Sequence, residues 1–301
     1  MNEFPHHVKI VEVGPRDGLQ NEKKIVPTDV KKHFIELLME TGLSFIETTS
    51  FVSPKWVPQM ADAAVICETF SSIDKIHFPV LTPNEIGFDK AIQSGAKEVA
   101  IFAAASETFS QKNINCSIDE SISRFEPIMK KAREQHIPVR GYVSCVLGCP
   151  YEGEIDYHNV IEVSQKLIDM GCYEVSLGDT IGVGTPIKTK QLLTEITKQI
   201  PLNKIAVHFH DTYGQALANI LVALEMGINV IDSAVGGLGG CPYAKGASGN
   251  VATEDVIYML NGMDITTNID MKKLLIANQY IHNFLQKTST SKVANALLGQ
   301  C

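Results

Sequence analysis

The sequence has little positive charge and no segment long and apolar enough to cross a bilayer. Lys and Arg number 26 against 34 Asp and Glu, which gives a formal net charge of -8. This excess of acidic residues disfavours a nucleic-acid-binding protein or a protein of the membrane surface. No apolar run approaches the roughly 18 residues of a transmembrane helix, and we expect no signal or transit peptide before the first apolar segment. We therefore expect a cytoplasmic protein whose partner is a small molecule.

Paired cysteines and phosphate-binding loops are also absent. Seven cysteines are scattered from Cys67 to Cys301 without any C-x-x-C spacing, so a structural zinc site is not expected and a reducing compartment fits best. Neither G-x-x-x-x-G-K-[ST] nor a strand-linked G-x-G-x-x-G occurs, which argues against a nucleotide as the reacting group. With 45% hydrophobic and 20% charged residues, the chain instead has the composition of a globular domain with a large core.

Short apolar or β-branched runs recur along the chain, and helical periodicity fills the stretches between them. Strands that alternate with helices pair in parallel, because a parallel neighbour requires a crossover that is usually a helix. Eight such units close a (β/α)₈ barrel, so the sequence predicts an α/β fold of the TIM-barrel type. A doubly wound open sheet is the alternative, but glycines placed shortly before several runs favour the barrel. The runs are 8–13, 45–51, 77–81, 99–104, 139–146, 173–177, 205–209 and 230–235, and the main helical candidates are 28–41, 117–135, 157–170, 186–200 and 212–226.

The chain has no low-complexity tract or linker, so we expect one domain over residues 1–301. A glycine-rich loop follows the eighth run and is expected to lie over the barrel mouth. A helix is predicted near 251–261, and a second, from about 270 to 288, lies within an appended C-terminal helical segment of about 262–301. The tail at 289–301 is small and polar with a few apolar positions, and the sequence leaves open whether it is a lid or an oligomer contact.

The end of the seventh run carries an H-x-H motif. Because strand side chains alternate faces, His208 and His210 share one face, where two imidazoles can hold a metal ion. In this fold the active site lies at the carboxyl ends of the strands, so Asp17 after the first run and the Asn250 amide are candidate further ligands. Asn250 could instead only cap the following helix. Two nitrogens and two oxygens suit Mg²⁺ or Mn²⁺, with Zn²⁺ or Co²⁺ left open.

Other polar residues at the strand ends are candidates for chemistry at the same mouth. Arg16 presents a fixed cation beside Asp17, although a local ion pair is the simpler reading. Cys241 lies between glycines in the loop after the eighth run, where a thiol could transfer a proton. Burying polar side chains in apolar strands is costly unless they are paired or used. The remaining candidates are Glu47, Tyr142, Ser144, Ser176, Asp179 and Thr180.

Four segments together resemble one family, the 3-hydroxy-3-methylglutaryl-CoA lyases of the DRE-TIM metallolyase superfamily. They are 14–22, 46–60, the H-x-H-D at 208–211, and GLGGCPYAKGASGN at 237–250. The glycine–cysteine loop is specific to the lyase, whereas the R-D-G turn marks the wider superfamily. The resemblance extends over essentially the whole chain.

The resemblance implies cleavage of 3-hydroxy-3-methylglutaryl-CoA into acetyl-CoA and acetoacetate by a homodimer that uses a divalent cation. By this resemblance, the cation is bound by Asp17, His208, His210 and Asn250. Arg16 faces the thioester carbonyl, and Cys241 is the catalytic thiol of the loop. Glu47 and Asp179 are further catalytic carboxylates, and Asp179 is the preferred general base, with Glu47 or a metal-linked histidine as alternatives. Tyr142, Ser176 and Thr180 are expected to contact the substrate.

Two other functions are weighed against the lyase. A synthase of the same superfamily, of the isopropylmalate or homocitrate type, shares the R-D-G turn and the H-x-H but usually has a different strand-eight loop and a longer chain. A non-catalytic barrel that binds metal or acyl-CoA would not need Arg16, Cys241 and several carboxylates at one mouth. The sequence does not distinguish leucine breakdown from ketone-body formation as the pathway.

Overall fold

The described residues of the computed structural model, 4–240 and 249–299, form nine parallel strands. Each of the eight predicted runs supplies strand structure. The second run differs from expectation, because it is interrupted at Glu47 and Thr48 and so contributes two short strands. The strands are Lys9–Glu12 (β1), Phe45–Ile46 (β2), Thr49–Ser50 (β3), Val80–Leu81 (β4), Val99–Ala104 (β5), Val139–Ser144 (β6), Glu174–Asp179 (β7), Ile205–Phe209 (β8) and Val230–Ser233 (β9).

The strand order closes the sheet into a barrel. The order is β2-β1-β9-β8-β7-β6-β5-β4-β3, so the two outermost strands, β2 and β3, are consecutive in the chain. Across the interruption, the Glu47 amide donates to the Glu12 carbonyl at 2.9 Å and the Thr48 amide donates to the Pro79 carbonyl at 3.2 Å. The predicted (β/α)₈ barrel is confirmed, and the open doubly wound sheet is wrong.

Eleven α-helices lie within the described ranges, and none of them is long and apolar enough to span a membrane. The five main helical candidates are all present, with 157–170 matched at both ends. Three short helices were not predicted, at Ala63–Phe70, Glu85–Gln93 and Glu107–Ile114. The helices are Thr28–Glu40 (α1), Ala63–Phe70 (α2), Glu85–Gln93 (α3), Glu107–Ile114 (α4), Ile118–Glu134 (α5), Tyr157–Met170 (α6), Pro186–Ile196 (α7), Ala216–Glu225 (α8), Thr253–Gly262 (α9), Met271–Leu285 (α10) and Lys292–Leu298 (α11).

Local sequence signals explain where the helices begin and end. Helix α5 begins at a capping box, in which the Ser117 side chain accepts from the Glu120 amide and the Glu120 side chain accepts from the Ser117 amide. Helix α6 ends at Gly171, whose φ of 112° is a left-handed conformation that glycine adopts without strain. Strand β8 is buried at every position, as expected for a parallel strand covered by helices on one face and by the barrel interior on the other.

The C-terminal segment packs against the barrel through helices α10 and α11. Helix α11 begins at Ser291, whose hydroxyl accepts from the Ala294 amide and donates to the Asp255 carboxylate at 2.6 Å. The Val293 amide also donates to Asp255, at 2.9 Å. Helix α9 is thereby tied to the end of the chain. Residues Lys292–Leu298 of the tail are helical because the Ser291 cap satisfies the first turn.

Candidate active site

Three predicted metal ligands lie together at the carboxyl end of the barrel. Asp17 lies on a π-helical turn, Gly14–Gly18, which follows β1, while His208 is in β8 and His210 follows that strand. One side-chain atom from each of the three lies within 4.8 Å of the others. Asn250 pairs through its backbone with His210. The fold therefore brings the first, seventh and eighth loops of the barrel to one point.

The donor set fits a divalent cation. The Nδ1 atom of His210 is buried without a hydrogen-bond partner among the described residues, which is costly unless a ligand occupies it. Burial, and the nearby His208, lower the pKa of His210 to about 4, so its imidazole is neutral and able to coordinate. Burial alone would raise the pKa of Asp17, but the charge of the neighbouring Arg16 guanidinium lowers it to about 2. Asp17 is therefore a carboxylate at neutral pH.

The Asn250 side chain lies beside this cluster and does not cap a helix. Its Nδ2 donates to Asp17 Oδ2 at 2.8 Å and to the Leu238 carbonyl at 3.2 Å. The cap residue of α9 is Ala252, and no side chain caps that helix, so the helix-capping alternative is wrong. A half-turn of the amide would exchange Nδ2 for Oδ1, which is the atom that binds a hard cation.

Asp232 orients His208, and sequence reasoning missed it. Its Oδ2 lies 3.3 Å from His208 Nδ1 and accepts from Ser176 Oγ at 2.8 Å. Arg140 donates to both Asp232 oxygens, at 3.0 and 2.8 Å. Burial would raise the pKa of Asp232, but Arg140 and His208 hold it well below the usual range. A carboxylate at Nδ1 leaves Nε2 of His208 facing Asp17, at 3.9 Å from Asp17 Oδ2.

The expectation that Ser176 contacts substrate is corrected by this network. Its hydroxyl is fully buried and donates to Asp232, and the residue does not line the cavity at the barrel mouth. Tyr142 and Thr180, the other two predicted contacts, do line that cavity. The Tyr142 hydroxyl accepts from Arg140 at 2.9 Å. Side chains alternate between the two faces of β7. This alternation points the Ser176 side chain into the barrel, below the mouth, and so away from the cavity.

Arg16 is held at the mouth by two carboxylates. Its Nε and Nη2 each lie 2.7 Å from Glu47 Oε2, and its Nη1 donates to Asp17 Oδ1 at 2.7 Å. The guanidinium carbon lies 5.4 Å from the centre of the Tyr142 ring. Burial opposes the charge on Arg16, but Glu47 and Asp17 raise its pKa well above the ordinary value. Arg16 is thus a permanent, oriented cation, and the simple local ion pair with Asp17 is only part of its environment.

Glu47 and Asp179, the two other predicted catalytic carboxylates, have different hydrogen-bond partners. Burial raises the pKa of Glu47, whose Oε1 is buried without a partner in the described part of the chain. Asp179 accepts from the amides of Val183 at 3.2 Å and Gly184 at 2.8 Å. Burial raises the pKa of Asp179 to about 6, against the opposing effect of these amides. Cys241 lies outside the described residues.

A cavity of about 710 Å³ opens at the mouth and includes part of this cluster. Its wall is polar near Arg16 and Asp17, and it also carries two further cations and an exposed tryptophan. Such a volume suits an extended organic ligand. Residues on the wall include Arg16, Asp17, Gln20, Ser50, Trp56, Lys112, Arg124, Tyr142, Ser144, Thr180 and His208.

Comparison with known proteins decides the family. A family model described as HMGL-like matches residues 7–281. The chain is 61% identical over 293 residues to the mitochondrial hydroxymethylglutaryl-CoA lyase of Gallus gallus, covering 97% of this chain and 98% of that protein. The chain belongs to the hydroxymethylglutaryl-CoA lyase family. A second family member, the cytoplasmic 3-hydroxy-3-methylglutaryl-CoA lyase of Mus musculus, is 63% identical, with 97% of this chain and 85% of that protein covered.

Solved structures of hydroxymethylglutaryl-CoA lyases have the same fold. The enzyme from Pseudomonas aeruginosa superposes with a TM-score of 0.97 at 54% identity, covering 99% of both chains. An HMG-CoA lyase from Acinetobacter baumannii, in complex with coenzyme A and 3-methylmalate, gives a TM-score of 0.92 at 34% identity and covers 98% of this chain and 97% of that chain. The family resemblance read from the sequence is therefore confirmed.

Proposed function

We propose that this protein is a metal-dependent carbon–carbon lyase that cleaves 3-hydroxy-3-methylglutaryl-CoA into acetyl-CoA and acetoacetate. The observation that carries the proposal is the cluster of Asp17, His208 and His210 beside the Arg16 guanidinium at one cavity. Membership of the lyase family supports the same reaction. Nothing in the comparisons favours the synthase.

Asp17, His208, His210 and Asn250 would hold the divalent cation. We propose Mg²⁺ or Mn²⁺, because the set combines carboxylate and amide oxygens with imidazole nitrogens. A bound cation supplies Lewis-acid stabilisation of negative charge on a substrate oxygen. The chain contributes the orientation of the donors, since Asp232 fixes the His208 ring and Asp17 is kept ionised.

The cleavage breaks the C2–C3 bond of the substrate and requires a place for one proton and one electron pair. A base removes the proton of the C3 hydroxyl, the C3 oxygen becomes the carbonyl of acetoacetate, and the bonding pair moves to the acetyl-CoA fragment as an enolate. Arg16 would oppose the charge on the thioester oxygen, because its guanidinium is permanently charged and offers several donors. Protonation at C2 then completes acetyl-CoA.

Asp179 remains our preferred base and Cys241 the donor to C2. A pKa of about 6 suits Asp179 to proton transfer near neutral pH. Glu47 is one alternative, since its Oε2 holds Arg16 while its Oε1 has no partner among the described residues, and a metal-linked histidine is the other. The assignment of Cys241 rests on the sequence alone.

The decisive experiment supplies 3-hydroxy-3-methylglutaryl-CoA to the purified protein before and after removal of divalent metal. We expect acetoacetate and acetyl-CoA in equal amounts, loss of activity with a chelator, and recovery when Mg²⁺ or Mn²⁺ is returned. Release of free CoA from acetyl-CoA and a 2-oxoacid would instead identify the synthase. Metal binding without either reaction would indicate the non-catalytic barrel.

Trp56 offers a separate test of the acyl-CoA partner. It is the single tryptophan of the chain, is 84% exposed, and lines the same cavity as the cations Lys112 and Arg124. We propose that it stacks on the adenine of coenzyme A while the cations face the phosphates. Since stacking of a base on an aromatic ring contributes about 1–3 kcal/mol, Trp56→Ala should raise KM about 10-fold with little change in kcat.

The fluorescence of the wild-type protein measures the same contact directly. Coenzyme A should quench it, and pantetheine, which lacks adenine, should not. Tyr258 is 64% exposed on α9, does not line the cavity, and provides the control variant Tyr258→Ala. An unchanged KM in Trp56→Ala, or equal quenching by pantetheine, would remove Trp56 from the binding site.

We also propose how the protein assembles, where it is located and how its domain is organised. We propose a homodimer, which light scattering would contradict by giving a monomeric mass, and a single catalytic domain over 1–301 that includes the appended segment of about 262–301. Relatives are named both as cytoplasmic and as mitochondrial. A cytoplasmic location for this protein is therefore our proposal from its sequence, and leucine degradation or ketone-body metabolism is the proposed pathway.

A further inference from the structure

Two successive peptide groups after β9 are held by buried glutamate side chains. The Val235 amide donates to Glu12 Oε1 at 2.9 Å. The Gly236 amide donates to Glu254, at 3.1 and 2.8 Å from its two oxygens. Both glutamates are fully buried. Burying a carboxyl group is costly unless hydrogen bonds compensate. The amides of this turn supply such bonds to both glutamates, and Glu12 also accepts from the Gly14 amide and the Thr253 hydroxyl.

The carbonyl of Gly236, which belongs to the next peptide group, is held by the C-terminal segment. The Gly236 carbonyl accepts from the Thr290 amide at 3.0 Å, from Thr290 Oγ1 at 3.1 Å and from Ser289 Oγ at 3.2 Å. Asn278 Nδ2 donates to Glu254 Oε1 at 2.6 Å and to Ser289 Oγ at 3.0 Å, which links the two sides. We call Glu254, Asn278, Ser289 and Thr290 the Gly236 clamp.

The clamp leaves the turn no free space. Gly236 has a φ of 63°, and a Cβ atom built there would lie 2.1 Å from His282 Cε1. A Cβ atom on Gly237, whose φ is 67°, would lie 2.0 Å from Thr290 Oγ1. Glycine is therefore required at both positions for conformation and for space. The C-terminal segment packs directly against the backbone of the turn.

Leu238, two residues after Gly236, connects the clamped turn to two of the candidate metal ligands. The Leu238 carbonyl accepts from Asn250 Nδ2 at 3.2 Å, and the same Nδ2 donates to Asp17 Oδ2 at 2.8 Å. Leu238 also packs against the turn that carries Asp17, since a Cβ atom on Gly18 would lie 2.7 Å from Leu238 Cβ. A shift of Gly236 would thus be transmitted through Leu238 to Asn250 and Asp17.

We propose that Ser289 and Thr290 are positioning residues of the metal centre. They act through Gly236 and Leu238 on the Asn250 amide and the Asp17 carboxylate, and touch neither substrate nor cation. The C-terminal segment then has a role that the sequence did not suggest, because it sets the geometry of the metal ligands rather than serving only as a lid or an oligomer contact. The inference rests on the proposed function only in assigning a cation to this site.

The test compares Ser289→Ala/Thr290→Val with Ser291→Ala. The double variant removes two hydroxyl donors to the Gly236 carbonyl but keeps the Thr290 amide. The control removes the Ser291 hydroxyl bond to Asp255 and weakens the start of α11 without touching Gly236. We measure the dissociation constant of Mn²⁺ by electron paramagnetic resonance of the free ion, together with Tm and amide hydrogen exchange of the peptides covering 232–240 in the metal-free protein.

We expect the double variant to bind Mn²⁺ about 10-fold more weakly, given the worth of two hydrogen bonds, and to exchange faster at 232–240. The control should lower Tm while leaving both readouts at the wild-type value. Equal Mn²⁺ affinity in the double variant and the wild type would overturn the inference. If the wild type bound no Mn²⁺, the proposed metal-dependent function would fail. Amide hydrogen exchange at 232–240 tests the clamp separately, and an unchanged rate in the double variant would contradict it.

Discussion

Replacing Arg16 by glutamine is expected to lower kcat by about 10²- to 10³-fold, the usual effect of removing a donor aimed at developing negative charge. Three nitrogens of the guanidinium are held by Glu47 and Asp17 at 2.7 Å, so its plane is fixed before substrate arrives. Glutamine can neither carry the charge nor span both carboxylates. The expected loss is therefore in kcat, with a smaller change in KM.

Lysine at position 16 is not expected to restore the rate. A single ammonium group cannot replace the planar fork that reaches Glu47 on one side and Asp17 on the other. Arg124→Gln is the matched control, because Arg124 lines the same cavity but is not a member of the metal cluster. Its effect should fall on KM. Wild-type kcat in Arg16→Lys would show that charge alone matters, which would contradict the oriented role.

The fold could be predicted from the sequence because its main signals are local. Apolar runs, intervening helical periodicity and glycine at helix ends are each read within about ten residues, and they indicated every strand of the barrel. The interruption at Glu47 and Thr48 could not be read locally, since it arises where two halves of one strand pair with β1 and β4. The short helices α2, α3 and α4 were missed because one or two turns give too little periodicity.

The clustering of the candidate metal ligands could be predicted for a related reason, whereas the residues that hydrogen-bond to them could not. In a barrel the carboxyl ends of all strands meet at one mouth. Polar residues such as Asp17 and His210 can therefore be placed at that mouth from their strand position alone. Asp232 has a visible signal, a carboxylate inside an apolar strand, but its meaning depends on the register of β8 with β9. That register places His208 opposite Asp232. The clamp on Gly236 depends on contacts with residues about fifty positions away.

Asp232→Asn is the second variant for which we expect a large effect, a loss of metal affinity of about 10- to 100-fold, as is typical when the partner of a metal-binding histidine is changed. The asparagine keeps the size of the side chain but presents an NH₂ group where one oxygen now accepts a hydrogen bond. It would no longer hold the His208 ring with Nε2 toward Asp17. Arg140, which is only 1% exposed, would also lose its bidentate partner.

The difficulty is that the same change should destabilise the fold, by about 3–5 kcal/mol if the buried pair is broken. Glu174→Gln separates the two effects. Glu174 accepts from Arg140 Nε at 2.8 Å and from Lys9 at 3.0 Å, so its replacement disrupts an ion pair of the same arginine without touching His208. Titration with Mn²⁺ and thermal unfolding of both variants should show a lower Tm in each but weaker metal binding only in Asp232→Asn. If Glu174→Gln lost metal equally, the affinity would depend on general stability, and the specific orientation of His208 by Asp232 would be wrong.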